Sequence, residues 1–174
     1  MAKQKQRELS LALQGGGAHG AYTWGVLDRL VEEKDLEISA ISATSAGAMN
    51  AVAFSAGMAE NGMQGAKDTL EALWHGISRS GRNSAPYGAL SPIVFAYASA
   101  LQSLASPYDL NPFNMNPLRD VVDDVIDFSK VDASGIKLYL SATNVQSGHV
   151  TVFSDGDISI DTVLASACLP QTFQ

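Results

Sequence analysis

The sequence has little cysteine, little positive charge and no long apolar run. Its 174 residues include one cysteine, Cys168, which excludes a disulfide framework, and no Cys and His cluster has the spacing of a metal site. Lys and Arg total 11 against 18 Asp and Glu, so the net charge is −7 and no basic stripe could follow a phosphate backbone. We expect no metal, no cofactor and no nucleic-acid partner.

Membrane-spanning and targeting signals are also missing. Residues 1–8 are polar, and neither a signal-type apolar region nor a run of 18 apolar residues follows them. The sequence predicts a cytoplasmic protein and leaves a peripheral contact with a membrane or lipid surface open. Its length and 46% hydrophobic content predict a single domain over residues 1–174.

Strand and helix patterns alternate along the chain. The predicted strands cover residues 9–13, 38–42, 137–143 and 149–153, and the last two form a hairpin through residues 144–148. The predicted helices cover residues 21–33, 46–56, 62–77, 92–104, 117–126 and 159–167. This order is typical of an α/β fold with a parallel sheet and right-handed crossovers.

Three details of the helices are predicted from side-chain spacing and helix-breaking residues. In the first helix, the side chains expected on the buried face are Tyr22, Val26, Leu27, Leu30 and Val31. Gly57 is expected to end the second helix, and the polar stretch 78–88 to end the third. The apolar helix at 92–104 is expected to pack in the core, with a cap over a substrate site as the alternative.

Ser45 lies between a strand pattern and an alanine-rich helix pattern, in the sequence ATSAG at residues 43–47. A nucleophile elbow places its serine at such a strand-to-helix turn, with very small residues two positions before and after it. Gly47 keeps that pattern, and Ala43 adds a single methyl group. The helix that follows would bring the positive end of its dipole towards a developing anion. The alternative is a helix-capping or close-packing serine.

A glycine loop at residues 14–20 (QGGGAHG) connects the preceding predicted strand to its helix. Its consecutive glycines, Gly15, Gly16 and Gly17, would let the backbone approach a substrate carbonyl and donate hydrogen bonds to its oxyanion. Both passages would meet at the carboxyl edge of a parallel sheet, where α/β folds bind ligands. A tight turn is one alternative, and a nucleotide-phosphate loop is another, although no Lys-Ser or Lys-Thr pair follows the glycines.

Together these segments resemble the patatin-like phospholipases. The similarity lies in residues 14–21 (QGGGAHGA) and 43–48 (ATSAGA), and residues 165–173 (ASACLPQTF) resemble the Ala-Ser, Pro and Phe block of that family. The resemblance implies a three-layer α/β/α sandwich with a mainly parallel sheet. It also implies acyl-ester hydrolysis by a Ser-Asp dyad without histidine, with Ser45 as the nucleophile. The oxyanion hole assigned in this way consists of Gly15, Gly16, Gly17 and Ala18.

The sequence departs from that family at three places. His19 stands where many members have Arg or Lys, and Ala43 stands where Gly is usual. In the family, an Asp-Gly-Gly or Asp-Gly-Ala motif with the dyad aspartate follows the Pro and Phe block, and no such motif follows it before Gln174. We therefore expect the domain to be incomplete at its C-terminus. The chain alone should be nearly inactive and its own C-terminal fragment a partner.

Other residues could substitute for the missing base. The segment 155–157 (DGD) resembles the aspartate motif but precedes the Pro and Phe block, and its composition predicts a solvated turn. His75 and His149 follow Ser45 in the order of an α/β-hydrolase triad; His75 is expected to cap or pack and His149 to begin a strand.

The resemblance implies a lipid or another acyl ester as the substrate. The alternatives are an acyltransferase, a polyester (polyhydroxybutyrate) depolymerase, a non-catalytic remnant and a nucleotide-binding module.

Overall fold

A computed structural model of the chain describes residues 7–84 and 116–167, with side chains for residues 7–80 and 116–167. The predicted helix at 92–104 and the Pro and Phe block at 170–173 lie outside the described residues. The strands of these residues form one sheet in sequential order: β1 (Arg7–Leu13), β2 (Leu36–Thr44), β3 (Lys137–Thr143) and β4 (Val150–Ser154). The first three are parallel and β4 is antiparallel to β3, which confirms both the mainly parallel sheet and the hairpin.

The helical spans of the described residues are α1 (Gly20–Leu30), α2 (Ala46–Ser84, two helices joined at a kink), α3 (Pro117–Val125) and α4 (Ile160–Ala167). Right-handed crossovers between strands added in one direction place the connecting helices on the same face. The burial pattern agrees, because Ile41, Leu138 and Leu140 are buried beneath helices while Tyr139 and Val152 are exposed on the other face. The α/β fold is confirmed, and in the described residues α2 and α4 pack against the sheet while α3 packs against these two helices.

The path of α2 corrects the predicted boundaries. The two helices predicted here are present, because the non-helical backbone angles of Asn61 and Gly62 divide α2 in two, but the first does not end at Gly57 and the second reaches Ser84. A Cβ atom on Gly57 would lie 2.3 Å from the Gly65 carbonyl oxygen. Gly57 therefore permits close contact between the two helical segments, and the polar residues after Ile77 extend the helix instead of ending it.

The buried face of α1 is also different from the predicted one. Leu27 and Val31 are buried as expected, but Tyr22 is 80% exposed and Val26 is 42% exposed. The helix instead packs along Gly20, Trp24, Leu27 and Val31, which are four, three and four residues apart. The sequence pattern predicts this stripe if Gly20 is included among the buried positions of the helix.

Candidate active site

Ser45 forms the turn between β2 and α2 by itself. Its φ of 54° is in the left-handed region, which costs a residue with a side chain about 1–2 kcal/mol. Its carbonyl oxygen accepts hydrogen bonds from the N–H groups of Ala48 (2.9 Å) and Met49 (3.2 Å), so α2 begins directly after it. A capping serine would also accept a helix N–H through its hydroxyl, but among the described residues Ser45 Oγ makes no hydrogen bond. The hydroxyl is therefore free of a capping role.

Two glycines pack closely around this turn, which we call the Ser45 turn (residues 43–47). A Cβ atom on Gly47 would lie 2.3 Å from the carbonyl oxygen of Leu13, and one on Gly15 would lie 2.9 Å from Ser45 Cβ. Ala43 is only 7% exposed, and its methyl group fits into the core. Packing thus explains why Gly47 has no side chain and why the extra methyl group at Ala43 is tolerated.

The glycine loop (residues 14–20) lies against Ser45. Gly16 and Gly17 have φ of 151° and 56°, and the loop closes when His19 donates its backbone N–H to the Gly16 carbonyl oxygen at 3.1 Å. The His19 ring nitrogen Nδ1 contacts the same oxygen at 3.1 Å, which gives this histidine a structural role. Among the hydrogen bonds of the described residues, none uses the backbone N–H of Gly16, Gly17 or Ala18. Three neighbouring donors are therefore available.

A buried polar network, which the sequence analysis missed, fixes the end of this loop. Asn50 is 0% exposed; its Nδ2 donates to the Gly20 carbonyl oxygen (3.0 Å), and its Oδ1 accepts from Trp74 Nε1 (2.8 Å). Gly20 is also packed tightly, since a Cβ atom there would lie 2.7 Å from Ala46 Cβ. The start of α1 is thereby held against both segments of α2. A lone amide in an otherwise apolar helix pattern was the available signal.

An apolar cleft of about 680 Å³ opens beside Ser45. Its lining residues in the described part of the chain are Gly17, Ala18, Ala21, Trp24, Ser45, Met49, Trp74, His75, Ile77, Ser78, Leu118 and Ala167. No aspartate or glutamate is among these described lining residues. His75 contributes the titratable group: its ring packs edge-on against Trp24 at 6.3 Å, and its Nε2 is 3.5 Å from Glu71 Oε1.

The other two candidate bases, Asp155 and His149, are not among the described residues that line the cleft. Asp155 lies in an exposed 3-10 turn (Asp155–Asp157) that follows β4. Because Ser154 pairs with Tyr139, which pairs with Ser42, the turn is displaced towards the amino edge of the parallel strands, roughly 15 Å from Ser45. His149 precedes Val150, which pairs with Thr143, so it lies at the carboxyl edge of the sheet; it is exposed, and its carbonyl oxygen accepts from Asn144 N–H.

Shifted pKa values occur away from the cleft. A hydrogen bond of 3.0 Å from Lys67 lowers the pKa of Glu32, and the same bond raises the pKa of Lys67. Residues 7–84 and 116–167 contain no group of three or more His, Cys, Asp or Glu arranged for a metal ion. Within the same ranges, no helix combines the length and apolar character needed to cross a bilayer.

The profile of the Patatin-like phospholipase family matches residues 11–174. The chain belongs to this family. No curated protein matches it. VipD from Legionella pneumophila superposes with a TM-score of 0.50 at 16% identity, covering 99% of this chain and 44% of the VipD chain. The ExoU-SpcU heterodimer from the type III secretion system of Pseudomonas aeruginosa gives 0.49 at 20% identity, with 94% and 36% covered. The chain thus spans less than half of either structure's chain, and the likeness to VipD shows the fold.

Proposed function

We propose that this patatin-like chain carries the nucleophile and the oxyanion donors of a serine lipid acyl hydrolase. The observation that carries the proposal is the Ser45 turn, in which a residue with positive φ lies beside an apolar cleft, and its hydroxyl and the nearby glycine-loop N–H groups have no hydrogen-bond partner among the described residues. Strained serine turns of this type expose a nucleophile at the end of a strand. Family membership supports a lipid substrate.

In the proposed reaction, Ser45 Oγ attacks the ester carbonyl carbon and a general base takes the hydroxyl proton. The N–H groups of Gly15, Gly16, Gly17 and Ala18 are the proposed donors to the oxyanion of the tetrahedral intermediate, and removing one such donor costs about 3 kcal/mol in transition-state stability. The C–O bond then breaks, the leaving alcohol receives the proton, and water releases the acyl group from Ser45. The apolar cleft would hold the acyl chain, which favours catalysis at a lipid surface.

The general base in this proposal is an aspartate that follows residue 174. The family resemblance puts an Asp-Gly-Gly or Asp-Gly-Ala motif after the Pro and Phe block, and the described part of the cleft contributes no carboxylate. The 174-residue chain alone would then bind a substrate without activating its nucleophile efficiently.

His75 is the second candidate base, because it lines the cleft and contacts Glu71. The order Ser45, Glu71, His75 matches that of an α/β-hydrolase triad. The side chain of His75 is 64% exposed and its Nε2 faces Glu71, so the aspartate is the better proposal. If His75 only lines the cleft, His75→Ala should lower kcat less than tenfold, whereas removal of a triad base costs on the order of 10³-fold or more.

Active-site labelling of the full-length enzyme tests the nucleophile. We expect a fluorophosphonate to add one adduct by intact mass, and Ser45→Ala to abolish both the adduct and, by about 10⁴-fold or more, ester hydrolysis. The matched control is Ser78→Ala, which removes another hydroxyl lining the same cleft and should keep the adduct. An adduct that persists in Ser45→Ala would contradict the proposal.

A further inference from the structure

Ser166, which is 121 residues after Ser45 in the sequence, joins the Ser45 turn to the sheet. It lies in the last turn of α4, and its Oγ accepts a hydrogen bond of 2.7 Å from the backbone N–H of Ser45. The same hydroxyl donates its proton to the Ser141 carbonyl oxygen in β3 at 2.8 Å. Ser166 therefore connects α4, β3 and the turn through one oxygen atom.

The direction of these two bonds is fixed. Because the Ser166 proton is used on Ser141, a lone pair of Oγ is left to face the Ser45 N–H. Ser45 follows the last residue of β2, and its backbone N–H is bonded to Ser166 Oγ in α4. Ser166 thereby fixes the peptide plane between Thr44 and Ser45, from which the positive-φ turn starts.

We propose that Ser166 is a positioning residue for Ser45. It acts through the backbone of the turn, holding Ser45 in the conformation that directs Oγ into the cleft. It also occupies the Ser45 N–H, which removes that group from the set of oxyanion donors and leaves the N–H groups of the glycine loop for this role. This inference rests on the proposed function of Ser45.

Ser134 offers a matched control at the other edge of the sheet. Its Oγ donates to the Val131 carbonyl oxygen (3.1 Å) and accepts from the Ile136 N–H (3.1 Å), so it also bridges a backbone acceptor and a backbone donor. Ser134 lies just before the amino end of β3, away from the cleft. Ser134→Ala removes the same kinds of bond, together with the 2.5 Å hydrogen bond between Ser134 Oγ and Ser55 Oγ in α2, and leaves the Ser166 bond to the Ser45 turn in place.

The test compares variants of the full-length enzyme. In Ser166→Ala we expect the rate constant of fluorophosphonate labelling and kcat to fall by about 10–100-fold, with KM within about twofold and a final labelling of one per molecule. Ser166→Thr keeps the hydroxyl and should recover most of the rate. Ser134→Ala should lower thermal stability but leave the labelling rate of folded protein unchanged.

Amide hydrogen exchange adds a readout that needs no activity. Peptides covering residues 43–47 should exchange faster in Ser166→Ala than in wild type or Ser134→Ala. Wild-type labelling and exchange in Ser166→Ala would overturn the proposal, as would equal rate losses in both alanine variants. If the wild-type enzyme is not labelled, the proposed function fails, and the exchange rates still decide whether Ser166 holds the Ser45 amide.

Discussion

Within the described residues, Ser45 and Asp155 are the two non-glycine positions with positive φ, at 54° and 47°. They differ in everything around that shared conformation. Ser45 is half-buried at the carboxyl edge of the parallel strands, where the glycine loop, α2 and Ser166 all contact it. Asp155 is exposed after β4, and its carbonyl oxygen accepts from the Ile158 N–H within the same short turn.

The comparison separates strain imposed by long-range contacts from strain that belongs to a local turn. A strained residue persists where its surroundings over-determine it, and such places cluster at functional sites. The contacts of Ser45 come from residues 30 and 121 positions away in the sequence, namely Gly15 and Ser166. Asp155 needs no such support, because aspartate adopts the left-handed region readily in turns.

Gly47→Ala should have the largest effect on the Ser45 side of this comparison. The new methyl group would meet the carbonyl oxygens of Leu13 and Gln14 at 2.3 and 2.8 Å, and backbone atoms cannot rotate away. We expect a loss of about 3 kcal/mol in the free energy of unfolding and no fluorophosphonate adduct. Urea unfolding and intact mass measure the two effects.

Ala43→Gly is the control on the other flank of the serine. It removes a methyl group that fits the core, so we expect a cost of about 1 kcal/mol and an adduct of wild-type extent. If both variants lost the adduct, any substitution beside Ser45 would be enough to disrupt the turn. The prediction that Gly47 specifically must lack a side chain would then be wrong.

Gly15→Ala should affect activity more than stability. The added Cβ would lie 2.9 Å from Ser45 Cβ and 3.6 Å from Ser45 Oγ, so either the loop or the serine must shift. Displacements of this size at a reacting group cost about 10²-fold in kcat/KM. Steady-state hydrolysis of a soluble ester by the full-length enzyme measures it.

Gly25→Ala is the matched glycine substitution in the neighbouring helix α1. No atom of the described residues lies within 4 Å of a Cβ atom there, so the variant should gain about 0.5–1 kcal/mol in unfolding free energy from helix propensity. Its kcat/KM should equal that of wild type. Similar activity losses at Gly15 and Gly25 would contradict the contact between the glycine loop and Ser45.

Short-range patterns in the sequence predicted most of the fold around Ser45. The strand-loop-helix order depends on local hydrophobic periodicity and on runs of small residues, and the structure has both passages at one sheet edge. The Ser166 contact could not be predicted in the same way, because it joins residues that only the tertiary fold brings together. The position of Ser166 next to the end of a helix gives no hint of its partner.

Two other differences have a similar physical origin. Gly57 was expected to end a helix because glycine is a poor helix former, but its contact with Gly65 determines its position in the fold. Asn50 is buried in α2, and the Trp74 indole that satisfies its amide lies 24 positions away. Single-sequence patterns describe the preferences of a segment, whereas these residues are placed by what packs against them.

Asp155→Asn tests the other side of the comparison and should have the smallest effect. Asparagine keeps the preference for the left-handed region, so the turn should persist while the carboxylate is lost. Because the turn lies towards the amino edge of the sheet, we expect kcat/KM within about twofold of wild type and an unfolding free energy within about 0.5 kcal/mol. Asp157→Asn, in the same exposed turn, is the control for a general loss of negative charge. A 100-fold or larger fall in kcat/KM in Asp155→Asn, without the same fall in Asp157→Asn, would identify Asp155 as the base. That result would also contradict the pairing of Ser154 with Tyr139, which holds Asp155 away from Ser45.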